Sequence, residues 1–164
     1  MYRVADDSCF LGIFDPYVYV SYIGEDWIDD LVEHFKAEMY RYRLLLWGTG
    51  REGFWRVDVR HEASAVTGFR EFIGPIVATE NRLCLTSYDS LTMGLQFKDI
   101  SLPQEHEQDL YLNVTPDAYQ CRIIQIQDPD KCVETEDADF VIELLPTDQP
   151  AAPWTTFPDE HLLD

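Results

Sequence analysis

The feature that most constrains the fold is a regular series of short apolar segments between residues 72 and 145. Each segment is five to nine residues long and is followed within three residues by Pro, Asn, Asp or Ser, which are typical of turns. Strands at this spacing, with no helices between them, predict an antiparallel sandwich rather than a parallel sheet. The predicted strands are residues 72–78, 82–86, 91–97, 109–114, 119–127 and 139–145.

The first half of the chain adds one prominent amphipathic helix. Gly24 and the acidic residues after it predict the start of this helix, because the positive end of the helix dipole favours carboxylates. Apolar residues then recur at steps of three and four and form one face. The face consists of Ile28, Leu31, Val32, Phe35, Met39 and Tyr42.

Further strands are predicted on both sides of this helix. Residues 9–22 alternate as two strands that are broken at Asp15-Pro16. Residues 44–47 and 54–59 flank a glycine-rich turn and predict a hairpin. This turn lacks the GK[ST] ending of a phosphate-binding loop and precedes a strand instead of a helix. The whole pattern predicts a mainly β (α+β) domain over residues 1–146, followed by a proline-rich, extended C-terminal tail over residues 147–164.

The charge of the chain is its most unusual compositional property. Thirty-one Asp and Glu residues face 12 Lys and Arg residues, which gives a formal net charge of −19. The imbalance is greatest after residue 102, where only two of the basic residues lie. Such a field repels nucleic acid and anionic lipid and speeds encounter with basic proteins. A role of this charge in solubility alone is the competing interpretation.

The cysteines and the N-terminus indicate a cytoplasmic protein. The four cysteines are scattered at positions 9, 84, 121 and 132, without a CxxC pair or a His at metal-ligand spacing. The first 16 residues carry acids where a signal peptide needs positive and then apolar residues. No apolar run approaches the length of a membrane span. We therefore expect reduced, largely buried thiols and no membrane partner.

No pattern of catalytic residues stands out in the sequence. The four histidines are dispersed, and no serine lies in a GxSxG nucleophile motif. The adjacent residues Glu105, His106 and Glu107 point in different directions on a strand or loop, which disfavours a metal site. Cys84 and Cys121 lie within predicted strands, where buried thiols are ordinarily inert. The sequence predicts a protein that is not an enzyme and has no cofactor.

Two acidic stretches are the candidate partner-binding surfaces. The first is the predicted helix start, with Asp26, Asp29, Asp30 and Glu33, and with Trp27 or Tyr22 as an aromatic anchor. The second consists of Asp130, Glu134, Glu136, Asp137 and Asp139. Acids at such spacing mimic the phosphates of nucleic acid and pair with Lys and Arg of a basic cleft, whereas solvated surface segments are the alternative. The predicted partner is a basic protein, with a nuclease as the favoured class.

The order of elements resembles the competence protein J family, whose studied member is a DNA-entry nuclease inhibitor. The resemblance runs from Tyr17 to Leu145, and its positions belong to the scaffold, so it implies no contact residues. The corresponding segments are residues 26–30, 78–81, 116–120 and 138–142. The chain is also similar to small bacterial immunity proteins of toxins. The resemblance implies an immunity or antitoxin-type inhibitor that occludes a toxin; the competing function is a ligand- or carbohydrate-binding module with exposed aromatics around a concave face.

Overall fold

A computed structural model describes residues 1–24 and 31–163. Within these residues the chain forms nine strands and two α-helices, with three short 3₁₀ turns. In chain order the elements are β1 (Tyr2–Asp6), β2 (Phe10–Phe14), α1 (Leu31–Tyr40), β3 (Leu44–Gly48), β4 (Gly53–Arg60), β5 (Arg70–Ala78), β6 (Arg82–Ser87), α2 (Tyr88–Gln96), β7 (Tyr111–Asn113), β8 (Asp117–Gln125) and β9 (Phe140–Pro146). The fold is mainly β with two helices, so the predicted α+β class is confirmed.

The strands form two sheets that enclose one core. The first sheet has the order β1-β4-β9-β8-β5, and the second has the order β3-β2-β6-β7. All pairings are antiparallel except that between β4 and β9. Trp47 of β3 packs against Phe140 of β9, with ring centroids 6.4 Å apart, and so joins the two sheets. A sandwich-like arrangement follows from this contact and from the shared hydrophobic cluster.

Helix α1 covers the core with the predicted face. Leu31, Phe35 and Met39 are buried, as their spacing predicts, and Phe35 packs edge-on against Tyr88 at 5.6 Å. The predicted helix start lies in residues 25–30, outside the described residues. Glu38 is also buried, a position that the apolar periodicity does not reveal.

The predicted hairpin around residues 48–53 is wrong. Strand β3 pairs with β2 in the second sheet, whereas β4 pairs with β1 and β9 in the first sheet. The intervening turn therefore carries the chain from one sheet to the other. Every residue of β3 is buried, so this strand needs cover on both faces, which a two-stranded hairpin does not provide.

Two further strand predictions are wrong. Residues 17–22 form a turn and an irregular segment, because the buried carboxylate of Asp15 accepts hydrogen bonds from the backbone of Tyr17 and Thr79 at 2.9 and 2.7 Å. The predicted strand over residues 91–97 is largely helix α2. Ser87 caps this helix by accepting a hydrogen bond from the backbone nitrogen of Ser90 at 3.4 Å. The chain thus has a second helix beside the single one predicted.

The C-terminal tail lies on the domain. Phe157 is buried and packs edge-on against Phe10, with ring centroids 5.8 Å apart. The indole nitrogen of Trp154 donates to the carbonyl of Ile73 at 3.0 Å, on the outer edge of β5. The two aromatic residues therefore anchor the tail, and Trp154 covers part of a sheet edge that would otherwise expose its backbone.

Candidate functional site

The first predicted acidic surface is only partly described. Asp26, Trp27, Asp29 and Asp30 lie outside the described residues. Glu33 lies on α1 with its side chain 70% exposed, and it forms an ion pair with Lys36 at 3.2 Å. This i,i+3 pair at the surface leaves most of the Glu33 carboxylate open to solvent. Glu33 thus remains a candidate contact residue.

The C-terminal segment contacts helix α1 close to Glu33. Lys36 is shared between Glu33 and Glu160, which lies 2.5 Å away. The neighbouring Asp159 pairs with Arg70 of β5 at 2.9 Å. Ion pairs therefore hold the end of the tail between α1 and the first sheet.

The second acidic stretch forms a loop between β8 and β9, here called the acidic loop (residues 126–139). The carboxylate of Asp128 caps a 3₁₀ turn by accepting from the backbone of Asp130 at 3.1 Å, and it pairs with Lys131 at 3.0 Å. The pKa of Asp128 is lowered, chiefly by the Lys131 ammonium and to a smaller extent by the backbone hydrogen bond from Asp130. The backbone of Val133 donates to the side chain of Gln127 at 2.9 Å. Local hydrogen bonds therefore give this loop a defined shape.

Four of the five predicted acids of this loop are exposed. Asp130, Glu134, Glu136 and Asp137 point to solvent, and no ion pair joins them to a cation of the described residues. They form an acidic surface whose charge is not neutralised within the described chain. Carboxylates in this condition are free to pair with the cations of another protein.

Asp139 has a different role from the one predicted. Its side chain is 7% exposed and pairs with Arg56 of β4. The Arg56 backbone nitrogen, Nε and Nη2 donate to the two carboxylate oxygens at 2.9, 3.1 and 3.2 Å. Asp139 therefore fastens the end of the acidic loop to the first sheet and presents no free carboxylate to a partner.

A cleft of about 610 Å³ lies between the acidic loop and the β1–β4 edge of the first sheet. We call it the arginine cleft. Strands β1 and β4 and the turn before β4 contribute Arg3, Arg51, Phe54, Trp55 and Arg56. The acidic loop contributes Pro129, Asp130, Cys132, Glu134 and Asp139. The cleft combines aromatic and charged groups, as binding sites commonly do.

A buried aspartate supports the wall of this cleft from behind. Asp6 accepts hydrogen bonds from the hydroxyl of Thr49 at 2.8 Å and from the indole nitrogen of Trp55 at 3.1 Å. The backbone nitrogens of Ser8 and Phe10 each donate to it at 3.0 Å. Burial raises the pKa of Asp6, although these four hydrogen bonds partly oppose the shift. Asp6 thus fixes the position of Trp55.

Sequence reasoning missed the arginine cleft, although part of its signal is visible in the sequence. The glycine-rich turn of residues 48–53 carries Arg51. The turn was compared only with the P-loop pattern, which it does not match, so Arg51 was not singled out as a binding residue. The pairing of Arg3 with Arg56 across β1 and β4 depends on strand register and cannot be read from a single segment.

Within residues 1–24 and 31–163, no helix has the length and apolarity that a membrane span requires. Within the same residues, no group of three or more His, Cys, Asp and Glu side chains is placed to hold a metal ion.

Two solved structures have a similar fold. The sequence itself matches no protein-family model and no curated protein. Crocagin biosynthetic gene J is 17% identical with a TM-score of 0.58, over 88% of this chain and 93% of that chain. ComJ, the inhibitor of the DNA-degrading activity of NucA from Bacillus subtilis, is 12% identical with a TM-score of 0.54, over 89% of this chain and 94% of that chain. At these identities the likeness shows the fold, and at that level it confirms the resemblance to the competence protein J family.

Proposed function

We propose that this protein is an immunity or antitoxin-type inhibitor that binds a basic toxin, with a nuclease as the favoured class. The observation that carries this proposal is the acidic loop, where Asp130, Glu134, Glu136 and Asp137 are exposed without a cation of the described chain. The shared fold with ComJ, the inhibitor of NucA, supports the same function. The inhibitor acts by occupying a cleft that otherwise receives nucleic acid, and it needs no catalytic group.

The proposed contact surface consists of acidic side chains that are exposed to solvent. Asp130, Glu134, Glu136 and Asp137 pair with Lys and Arg of the toxin, and Glu33 of α1 is a further proposed contact. Asp26, Trp27, Asp29 and Asp30 remain proposed contacts on the strength of their sequence. Asp139 is left out, because Arg56 already uses its carboxylate. The protein acts in the cytoplasm and binds neither nucleic acid nor membrane, since its net charge of −19 repels both.

The test compares two triple variants that change net charge equally. The loop variant carries Glu134→Gln, Glu136→Gln and Asp137→Asn. The matched control carries Asp99→Asn, Glu105→Gln and Asp148→Asn, which are exposed acids elsewhere on the surface. The partner is the candidate toxin encoded beside the gene, purified with its nuclease activity.

The loop variant is expected to lose at least tenfold in affinity and in inhibition, and its association rate should fall less steeply with salt than that of wild type. The control variant should keep its inhibition, because only its long-range field changes. Equal inhibition by both variants would disprove the acidic-loop contact. Absence of inhibition by the wild-type protein would disprove the function itself.

A specific observation also supports a second candidate, the ligand-binding module. That function requires exposed aromatic side chains around a concave surface. Phe54 is 81% exposed and lines the arginine cleft. The two functions share part of one surface, since Asp130 and Glu134 line the arginine cleft together with Phe54, whereas Glu136 and Asp137 do not.

A further inference from the structure

Arg3 and Arg51 are two of the three arginines that line the arginine cleft. Among the described residues, no ion pair joins Arg3 or Arg51 to a carboxylate, whereas Arg56 is held by Asp139. Two unpaired arginines that line one cavity therefore point to an anion that comes from outside the chain.

The guanidinium of Arg51 is held in place for such a contact. It lies over the ring of Trp55, with its central carbon 4.8 Å from the ring centroid. Nη1 also donates weakly to the carbonyl of Glu52 at 3.5 Å. A stacked guanidinium keeps its N–H edge available for a planar acceptor.

The second arginine and the aromatic residue belong to the neighbouring strands. Arg3 of β1 pairs in register with Arg56 of β4, and Phe54 lies two residues before Arg56 on the same strand face. The cleft is lined by three arginines and by three carboxylates, those of Asp130, Glu134 and Asp139. The formal charge of its lining is therefore balanced, in a protein of net charge −19. A small monoanion meets less repulsion here than at the acidic surface.

From this arrangement we infer that the arginine cleft binds a small organic carboxylate that carries an apolar ring. The carboxylate accepts hydrogen bonds from Arg51 and Arg3, and the ring packs against Phe54. A carboxylate matches the planar fork of a guanidinium, and its single charge suits a strongly acidic protein better than a polyphosphate does. The volume of about 610 Å³ is within the range of small-molecule sites. This inference rests on the second candidate function and is independent of any toxin.

The test adds defined probes to the whole protein. NMR of the ¹⁵N-labelled backbone and arginine side chains measures their binding. The first probe is 3-phenylpropionate. Two matched probes separate the parts of the inference: 2-phenylethylammonium keeps the ring and reverses the charge, and acetate keeps the carboxylate without the ring. The variants are Arg51→Gln, Arg3→Gln and Phe54→Ala.

Arg82→Gln is the matched control variant. Arg82 lies over the ring of Tyr111, also at 4.8 Å, but it is not among the residues that line the arginine cleft. Its loss removes the same charge and the same type of stacking while the cleft stays intact.

We expect 3-phenylpropionate to bind wild type and Arg82→Gln with a Kd on the order of millimolar, with shifts at the side-chain Nε–H of Arg51. Arg51→Gln and Arg3→Gln should each weaken binding about tenfold, and Phe54→Ala should reduce binding to that of acetate. Three results would each overturn the inference: no saturable shift up to about 20 mM probe, equal binding of 2-phenylethylammonium, or unchanged affinity in both arginine variants. None of them bears on toxin inhibition, so failure here leaves the proposed function standing.

Discussion

Asp139 accepts three hydrogen bonds from Arg56, one from the backbone and two from the guanidinium, at 2.9 to 3.2 Å. The two residues are 83 positions apart in the sequence. Their pairing joins the end of the acidic loop to the strand that carries Phe54. One wall of the arginine cleft is thereby fixed relative to the other, and the exposed acids of the loop are held beside the cleft.

The first prediction concerns this pair. Asp139→Ala removes the acceptor and leaves the guanidinium of Arg56 without its carboxylate, so we expect Tm to fall by about 5 °C or more. Asp137→Ala is the matched control, because Asp137 is an exposed acid two residues earlier with no ion pair within the described chain. Thermal unfolding followed by circular dichroism measures both. A similar Tm for the two variants would show that Asp139 is a surface acid after all.

The second prediction concerns pH. Burial alone would raise the pKa of Glu143, but hydrogen bonds from Ser64 and Arg122 outweigh it, and the pKa is lowered. A lowered folded-state pKa stabilises the fold fully above the unfolded pKa of about 4.3, and this stabilisation is lost as pH falls through the folded pKa. Glu143→Gln should therefore cost about 1.5–3 kcal/mol at pH 7. The difference from wild type should shrink below about pH 4.3 in urea unfolding.

Glu71→Gln is the control for this pH effect. Glu71 pairs with the same Arg122 at 2.6 Å, but its side chain is 48% exposed. An exposed pair contributes about 0–1 kcal/mol. A pH-independent difference between Glu143→Gln and wild type would contradict the assigned cause of the shift.

The third prediction concerns the turn that enters the cleft. Gly50 has φ of 85°, and a Cβ there would lie 2.6 Å from Cγ of Pro129. Gly50→Ala should cost about 1–2 kcal/mol through the backbone alone, and it should also push the acidic loop outward. Urea unfolding gives the energy, and amide shifts of residues 126–139 report the displacement. Adding Pro129→Ala should return the amide shifts of the loop to their wild-type values, while the backbone cost of Gly50→Ala remains. If the loop shifts stay displaced, the contact with Pro129 is not the cause of the displacement.

The fourth prediction concerns the core. Phe35 is fully buried beneath α1, so Phe35→Ala should reduce the free energy of unfolding by about 3–5 kcal/mol. Tyr40 lies on the same helix with 65% exposure. Tyr40→Ala should therefore change the free energy of unfolding by no more than about 0.5 kcal/mol. Denaturant unfolding of both variants tests the assignment. A loss below about 1 kcal/mol for Phe35→Ala would mean that the helix presents another face to the core.

Local patterns predicted the parts of the fold that depend on local signals. Strands β5, β6, β8 and β9 follow from alternation and turn residues, and Phe35 and Met39 follow from helical spacing. Helix α2 was missed because apolar residues dominate residues 91–97, although the separation of Leu91 and Leu95 also fits a helix. Whether a strand pairs with its neighbour in the chain is a tertiary property, so the hairpin at residues 48–53 was wrong.

The same limit applies to the candidate site. The acidic loop was visible as a charged segment between two strands. Its last acid was misassigned, because burial of Asp139 depends on Arg56, a residue from a distant strand. The arginine cleft depends on the register of β1 and β4, and β1 itself was not predicted from its five residues. Charge in a sequence therefore predicts where acidic residues concentrate, but not which carboxylates the fold already uses.

The last prediction concerns the four thiols, all of which are free in this structure. Cys84 and Cys121 are fully buried, and burial raises the pKa of both thiols, so neither should react in the native protein. Cys9 and Cys132 are partly exposed. Burial, followed by the charges of Asp6, Glu52 and Asp89, raises the pKa of Cys9, which lowers its thiolate fraction and should slow its reaction.

A thiol reagent should thus modify at most two groups in the native state and all four in denaturant. Cys132→Ser should remove one of the native-state reactions, and 3-phenylpropionate should slow that reaction in wild type if the arginine cleft is occupied. Fewer than four reactive thiols in denaturant would indicate a disulfide and would contradict the proposed cytoplasmic location. Rapid native-state modification of Cys121 would instead contradict the burial of this thiol in the core.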